Sequence, residues 1–428
     1  MVTPPHLIFV MADDLGTGDV SWSDPSVLAP ELDALAADGV RFSAHTYSWC
    51  APSRGAFMSG RYAPRSGFEG VGGPSATGSG TVTVFPLEYQ FLPALLKDAG
   101  YRTVGAGKWH LGFARQRDLP ENRGFDKWIG YLQGGEDYYA RSATLHADNC
   151  TATRDFWFGT PGDGRPVADR DYWTGQYSTN VYGEWLVKQI DSHDAGQPLF
   201  VYAAFQAVHY PLQVPRPYFE RFRAQGAGSG DCAWERQGVA ASGFANGFTC
   251  GPNPAFPGTK AGLACMCNRL LVKAQVSALS EAVGNITAAL RSNKGMWSTT
   301  LLAMMGDNGG PLDGAHSNAP LRGGKLNFFQ GEQTSSAVGR THRATPPHPC
   351  TPLHSPGARR VQAACWRPPS SSRRCCPPEC EARSRPPSFT RRTGLRPLRG
   401  WRAWRRPPAS PAPTRGARCA TRPRPTAS

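Results

Sequence analysis

The chain has 428 residues, 40% hydrophobic and 18% charged, a composition that suits one large globular core plus a small appendage. No apolar run approaches the roughly 20 residues that cross a bilayer, so no membrane-spanning helix is expected. The net charge of +15 is unevenly held: residues 333–428 carry 20 Arg, no Lys and two acids, leaving residues 1–332 at −3.

In chain order, His6 to Met11 is a short continuous apolar run, the pattern of a buried parallel strand, and it stops at Ala12-Asp13-Asp14-Leu15-Gly16. No export signal is expected ahead of this strand, because ordered sequence begins almost at Met1. Pro30 to Asp38 predicts a helix with Leu32, Leu35 and Ala36 on one face and Gly39 as its terminator. In Cys50-Ala51-Pro52-Ser53-Arg54-Gly55, Pro52 and Ser53 suit the first turn of a helix and put Cys50 just before its N-terminus. There the dipole and free N–H groups favour negative charge. Taken alone, such a cysteine reads first as a buried structural residue or a disulfide partner.

A helix is expected from Phe91 to Asp98, then a strand from Tyr101 to Ala106 running into Gly107-Lys108-Trp109-His110-Leu111-Gly112. Pro198 to Phe205 predicts a strand reaching His209. A Gly-rich insertion at about 224–267 carries Cys232, Cys250, Cys265 and Cys267, an even number that allows a disulfide-stapled loop. Zinc is the alternative there, weakened by the single residue between Cys265 and Cys267. An amphipathic helix is predicted at about 270–291 and a strand from Thr299 to Met305, reaching Gly306-Asp307-Asn308-Gly309-Gly310. Asn149-Cys150-Thr151 and Asn285-Ile286-Thr287 fit glycosylation acceptors.

This alternation predicts an α/β fold: a mostly parallel central sheet with helices on both faces, and a ligand site beyond the carboxyl ends of its strands. Several strands deliver polar groups at that edge: Asp13 and Asp14, Lys108 and His110, His209, and Asp307 with Asn308. Each alone is weak, since a post-strand Asp is usually a cap or turn residue. Together, the oxygen donors Asp13, Asp14, Asp307 and Asn308 favour a hard cation, calcium or magnesium. Arg54, Lys108, His110, His209 and Lys325 beside such an ion make a place for an anion with several oxygens, sulfate or phosphate.

With these motifs assembled, the sequence resembles the sulfatase family. Cys50-x-Pro52-Ser53-Arg54 followed by Gly60-Arg61-Tyr62 is similar to the family signature in which the cysteine becomes formylglycine. Gly107 to Gly112, Val208-His209-Tyr210-Pro211-Leu212-Gln213-Val214-Pro215 and Pro320-Leu321-Arg322-Gly323-Gly324-Lys325 resemble its arylsulfatase B-like (N-acetylgalactosamine-4-sulfatase) branch, and the likeness runs from about residue 6 to 332.

The resemblance implies an alkaline-phosphatase-like fold and hydrolysis of sulfate esters, with a sulfated glycan as one candidate substrate. Asp13, Asp14, Asp307 and Asn308 would hold one Ca2+, with residue 50 completing the contact. Cys50, as hydrated formylglycine, would attack sulfur, while Arg54 and His110 hold and polarise it. Lys108 and Lys325 would grip sulfate oxygens and His209 would protonate the leaving group. A formylglycine-generating enzyme would be needed for maturation, and a secretory route to a lysosomal or extracellular location is implied. A related phosphoesterase or phosphonate hydrolase, and an inactive relative with a basic tail, stand as alternatives.

Residues 333–428 hold 18 of the 39 Pro and 6 of the 12 Cys, and lack Ile, Met, Tyr, Asn and Asp. GC-rich coding sequence read out of frame yields Arg, Pro, Ala, Gly and Ser, so a frameshift after Glu332 is the first reading. A disordered tail is the second, and a nucleic-acid binder built on Arg402-Ala403-Trp404-Arg405-Arg406 the least favoured. Such a tail is not expected to supply the family's smaller C-terminal domain with its antiparallel sheet.

Overall fold

The computed structural model describes residues 4–68, 84–142, 154–166, 173, 175–223, 260–293, 295–325, 327 and 329–340, with backbone alone for 166, 223, 260–266 and 313. Cys232, Cys250, Asn149 and the Arg-rich residues from 341 onward lie outside the described residues.

The strands are β1 (His6–Ala12), β2 (Val40–His45), β3 (Arg102–Lys108), β4 (Lys127–Tyr131), β5 (Trp157–Gly159), β6 (Arg165–Pro166), β7 (Leu199–Ala204), β8 (Thr300–Gly306) and β9 (Thr334–Arg340). They form a nine-stranded sheet in the order β2-β9-β8-β1-β7-β3-β4-β5-β6. The five central strands, β8 to β4 in that order, are parallel. Both edges turn antiparallel.

The pleat of β1 shows why helices cover both faces. Ile8, Val10 and Ala12 face a core shared with α1 (Pro30–Asp38), α5 (Ser178–Asp191), α6 (Arg216–Arg223) and α7 (Lys260–Ser292). Met11, with Leu7 and Phe9, faces the opposite core built on α2 (Cys50–Ser59) and α4 (Leu92–Asp98), where Phe9 stacks on Phe57 with ring centroids 4.0 Å apart. The short helix α3 (Ala63–Ser66) follows α2. A strand buried on both sides has no polar face, which is what its continuous apolar run requires.

The predicted strands and the helices over 30–38 and 91–98 appear within two residues of their expected bounds. Two expectations move. Helix α7 starts ten residues before the predicted position, at Lys260, so Cys265 and Cys267 sit on it rather than in the insertion loop. Its Ala, Leu, Lys and Met residues sustain a helix once the Gly-rich stretch ends. The boundary set at Glu332 also falls short of the fold: Thr334–Arg340 is strand β9, lying between β2 and β8, with Ala337 and Val338 buried. Composition averaged over the whole basic segment hides a seven-residue strand. Among the described residues no helix is long and apolar enough to cross a membrane.

Candidate active site

Beyond its last residue, Ala12, β1 hands the chain to Asp13, whose N–H donates to Ala207 O at 3.0 Å and whose carbonyl accepts from Val208 N at 2.7 Å. That pair ties the end of β1 to the loop carrying His209. Asp14 follows in the left-handed region at φ 60°, and its N–H donates to Asp307 Oδ1 at 3.1 Å. Asp307 is linked in turn through its own N–H to Ala12 O at 3.0 Å. Three adjacent strands therefore present their ends as one hydrogen-bonded edge.

Cys50 is the first residue of α2, with Trp49 as its N-cap, one position further into the helix than predicted. It is a buried free thiol. Gly60 ends this helix at φ 65°, its N–H returning to Ala56 O at 2.8 Å, which accounts for the glycine in the Gly60-Arg61-Tyr62 segment. One turn into α2, Arg54 is wholly buried. Its Nε and Nη2 both lie 2.9 Å from Asp307 Oδ2, and Nη2 is 3.7 Å from Asp13 Oδ1.

Lys108 closes β3 and donates from Nζ to Asp13 Oδ2 at 2.6 Å. Gly107 before it has φ 101° and lies so close to Ala204 O that any side chain would strike the neighbouring strand. Lys325 reaches Asp14 Oδ1 at 2.6 Å, and Asn308 Nδ2 donates to the same oxygen at 2.7 Å. His209 Nδ1 lies 2.6 Å from Tyr210 O, while its Nε2 is 3.7 Å from Asp14 Oδ2. His110 is buried at φ 57°, with Gly134 packed against its ring and no hydrogen-bond partner for Nδ1.

Burial raises the Asp14 carboxyl, but Lys325 and then His209 outweigh it and hold the group at about 2. Asp13 also sits below the ordinary range, burial being overcome by Lys108, His209 and Arg54. Asp307 is pushed up by burial and by Asp13. Burial lowers His209, against the pull of Asp13 and Asp14, and lowers His110 well below its ordinary value with help from Lys108 and Arg54. Burial raises the Cys50 thiol.

Three carboxylates thus meet three fixed cations, a balance that leaves room for a divalent ion and an anion together. The donor chemistry fits a hard cation, because Asp13 Oδ1 and Asn308 Oδ1 are buried without a hydrogen-bond partner and both are oxygens. The ten residues expected to hold the cation and the anion come to this one edge.

Sequence reasoning missed the supports behind them. His316 Nε2 lies 3.1 Å from Val208 O, the Tyr138 hydroxyl donates to His209 O at 3.0 Å, and Gln206 Nε2 donates to Glu136 O. Asn318 bridges Gly310 through both its amide atoms, at 2.9 and 2.8 Å, joining the Asp307 loop to the Lys325 loop. No motif marks these positions; only the strand-end placement of Gln206, three residues before His209, offered a signal.

Glu136 is fully buried, its Oε1 accepting from Tyr182 at 2.6 Å, and burial raises its pKa from 4.5 to about 8 despite Arg141. The folded chain therefore keeps a proton that the unfolded chain loses near pH 4.5. Stability should fall as pH rises from 4.5 towards 8, by a few kcal/mol at about 1.4 kcal/mol per unit. Thermal unfolding against pH checks this: Glu136→Gln should flatten that slope, and an unchanged slope would count against a protonated Glu136.

A family model, Sulfatase, matches residues 5–336. Arylsulfatase J of Mus musculus is 33% identical over 339 residues, covering 79% of this chain and 48% of its own length. The arylsulfatase of Klebsiella aerogenes is 31% identical over 227 residues, covering 52% of this chain and 46% of its own. N-acetylgalactosamine-6-sulfatase of Homo sapiens is 33% identical, covering 50% and 41%. The chain thus spans about half the length of the curated relatives it matches. Among solved structures, Ps i-CgsB superposes with a TM-score of 0.62 at 26% identity, covering 79% of this chain and 66% of that one. PsFucS1 sulfatase from Pseudoalteromonas sp. has a TM-score of 0.54 at 22% identity, covering 79% and 62%, a likeness of fold alone. The architecture is alkaline-phosphatase-like, and with the family match spanning strands β1 to β8 and every site residue named above, the chain belongs to the sulfatase family.

Proposed function

We propose that this chain is a sulfuric ester hydrolase of arylsulfatase type, nearest the arylsulfatase B-like branch, acting through formylglycine made from Cys50 and one Ca2+. The observation that carries this reading is the convergence of Cys50, Asp13, Asp14 and His209, whose donor atoms lie within 4.8 Å of one another, beneath Lys108 and Lys325.

When present, the hydrated aldehyde supplies an oxygen nucleophile that a thiol cannot replace, and the calcium ion supplies positive charge beside it. Asp13, Asp14, Asp307 and Asn308 hold that ion. Arg54, anchored on Asp307, and His110 orient residue 50. Lys108 and Lys325 offset the charge that builds on the sulfate oxygens. With Nδ1–H committed to Tyr210 O, His209 can deliver a proton only from Nε2, the nitrogen facing Asp14 and so the site. That makes the imidazolium the acid: Asp13 and Asp14 favour its proton, while burial outweighs them and sets the pKa below the ordinary value.

A sulfated glycan is the proposed substrate class. Ps i-CgsB, solved in complex with k-i-k-neocarrahexaose at 25% identity and a TM-score of 0.61, supports a saccharide. A secretory route, lysosomal or extracellular, is supported by the exposed Asn285 of its acceptor triplet and by Cys267, which is disulfide-bonded. A formylglycine-generating enzyme is the partner this maturation needs.

The test is turnover of aryl sulfates by the converted full chain with and without Ca2+. Hydrolysis should need the ion, and phosphate-ester turnover exceeding sulfate-ester turnover would overturn the reading. His209→Gln should lower kcat by about 100- to 10,000-fold on an alkyl sulfate but far less on an aryl sulfate with an acidic phenol, which leaves without a proton. Equal losses on both would remove His209 from the acid role.

A further inference from the structure

The centre contains a second donor set of a different kind. Cys50 Sγ, a ring nitrogen of His209 and one oxygen each from Asp13 and Asp14 lie within 4.8 Å of one another. Apart from position 50, whose sulfur here replaces an oxygen, this set shares only its two carboxylates with the oxygen set of Asp13, Asp14, Asp307 and Asn308. One sulfur, one nitrogen and two oxygens are the number and mix of a four-coordinate zinc site, whereas calcium takes six to eight oxygens.

The surroundings hold each donor ready. His209 Nδ1–H is committed to Tyr210 O at 2.6 Å, so the neutral ring carries its lone pair on Nε2, the nitrogen turned to Asp14. Lys108 takes Asp13 Oδ2 and Lys325 takes Asp14 Oδ1. That leaves Asp13 Oδ1 buried without a hydrogen-bond partner, with Arg54 Nη2 3.7 Å from it, and Asp14 Oδ2 facing His209. Cys50 is a free thiol, 6% exposed.

The geometry points to a zinc-class site in the unconverted chain: while residue 50 is still cysteine, one Zn2+ or Co2+ binds through Cys50 Sγ, His209 Nε2, Asp13 and Asp14. This rests on reading Asp13 and Asp14 as metal-facing carboxylates. On binding, the S–H bond breaks, an S–metal bond forms, and one proton leaves to solvent per ion, with no change of oxidation state. Conversion of Cys50 to an oxygen function removes the soft ligand, so the same centre changes metal class on maturation. A copy that folds before conversion becomes a metal–thiolate protein with His209 occupied.

The experiment uses the full chain made without the converting enzyme, its Cys50 thiol verified by peptide mass, stripped of metal and titrated with Co2+. The expected spectrum has the visible bands of four-coordinate cobalt and a thiolate-to-metal charge-transfer band, displaced by Zn2+ and not by a large excess of Ca2+. Cys50→Ser should remove that charge-transfer contribution and weaken Zn2+ binding at least ~10-fold. Should Cys50→Ser fail to fold, Asn308→Ala serves instead: it should keep the cobalt spectrum and lose Ca2+ affinity. A charge-transfer band unchanged in Cys50→Ser, or a cobalt spectrum lost in Asn308→Ala, overturns the inference. If Ca2+ still raises Tm while Co2+ shows no band from Cys50, the zinc site fails and the calcium reading stands. If neither ion binds, the assignment of Asp13 and Asp14 fails with it.

Discussion

Arg54→Ala is expected to lower the unfolding free energy by about 3–5 kcal/mol, the largest stability loss at this site. The guanidinium is fully buried: Nε donates to Asp307 Oδ2, Nη2 lies 2.9 Å from the same oxygen as an ion pair, and Nη1 donates to Lys108 O at 3.3 Å. Its removal strands Asp307 beside Asp13, where burial and that neighbour already push its carboxyl up. An unpaired buried carboxylate is relieved by taking a proton, so the loss should be greatest at neutral pH and shrink in mild acid, where Asp307 protonates without help. Arg54→Lys should not recover the loss, because a single ammonium cannot follow the planar fork to Asp307 and the Lys108 carbonyl. Urea unfolding of the metal-free protein at two pH values measures both effects. A midpoint within error of the parent, or a loss that grows in acid, would contradict the pairing described here.

The contact between Arg54 and Asp307 leaves no mark in the sequence. Arg54 was singled out four residues after Cys50, yet its partner Asp307 lies more than two hundred and fifty positions away, joined by strand order rather than by spacing. What the sequence did display follows from local physics. The central strands are buried on both faces, so β1 and β7 read as continuous apolar runs whose ends are marked where polar residues begin. In a parallel sheet those ends share one edge, which is why Asp13, Lys108, His209 and Asp307 could be grouped before any contact was known.

Edge strands left a weaker trace. β2, Val-Arg-Phe-Ser-Ala-His, is largely exposed and mixes polar with apolar residues, and β9 carries only Ala337 and Val338 as buried apolar side chains. Neither has a run long enough to stand out from loop sequence; pairing with β8 and with each other makes them strands. Support residues such as Tyr138 and His316 were invisible for a related reason. A buried Tyr or His reads as core, and its use emerges only when its polar atom meets the His209 loop.

Cys50→Ala should abolish sulfate-ester turnover, lowering kcat by at least ~10,000-fold in protein made with the converting enzyme. The substitution is mild everywhere else. Ala is the best helix former and suits the first position of α2, and losing one sulfur from this buried spot costs only about 1 kcal/mol. Asp13, Asp14, Asp307 and Asn308 are untouched, so Ca2+ should still raise Tm, and Lys108 and Lys325 should still bind sulfate. Lys325→Met offers the contrast. Removing that ammonium takes away one of the partners of Asp14, strips one cation from the proposed anion site, and should change KM and kcat together, since the charge is felt in both the bound and the transition state. A Cys50→Ala chain that keeps activity within tenfold of the parent would mean that water, not residue 50, attacks the ester, and the centre would then be a metal-dependent hydrolase without a covalent step.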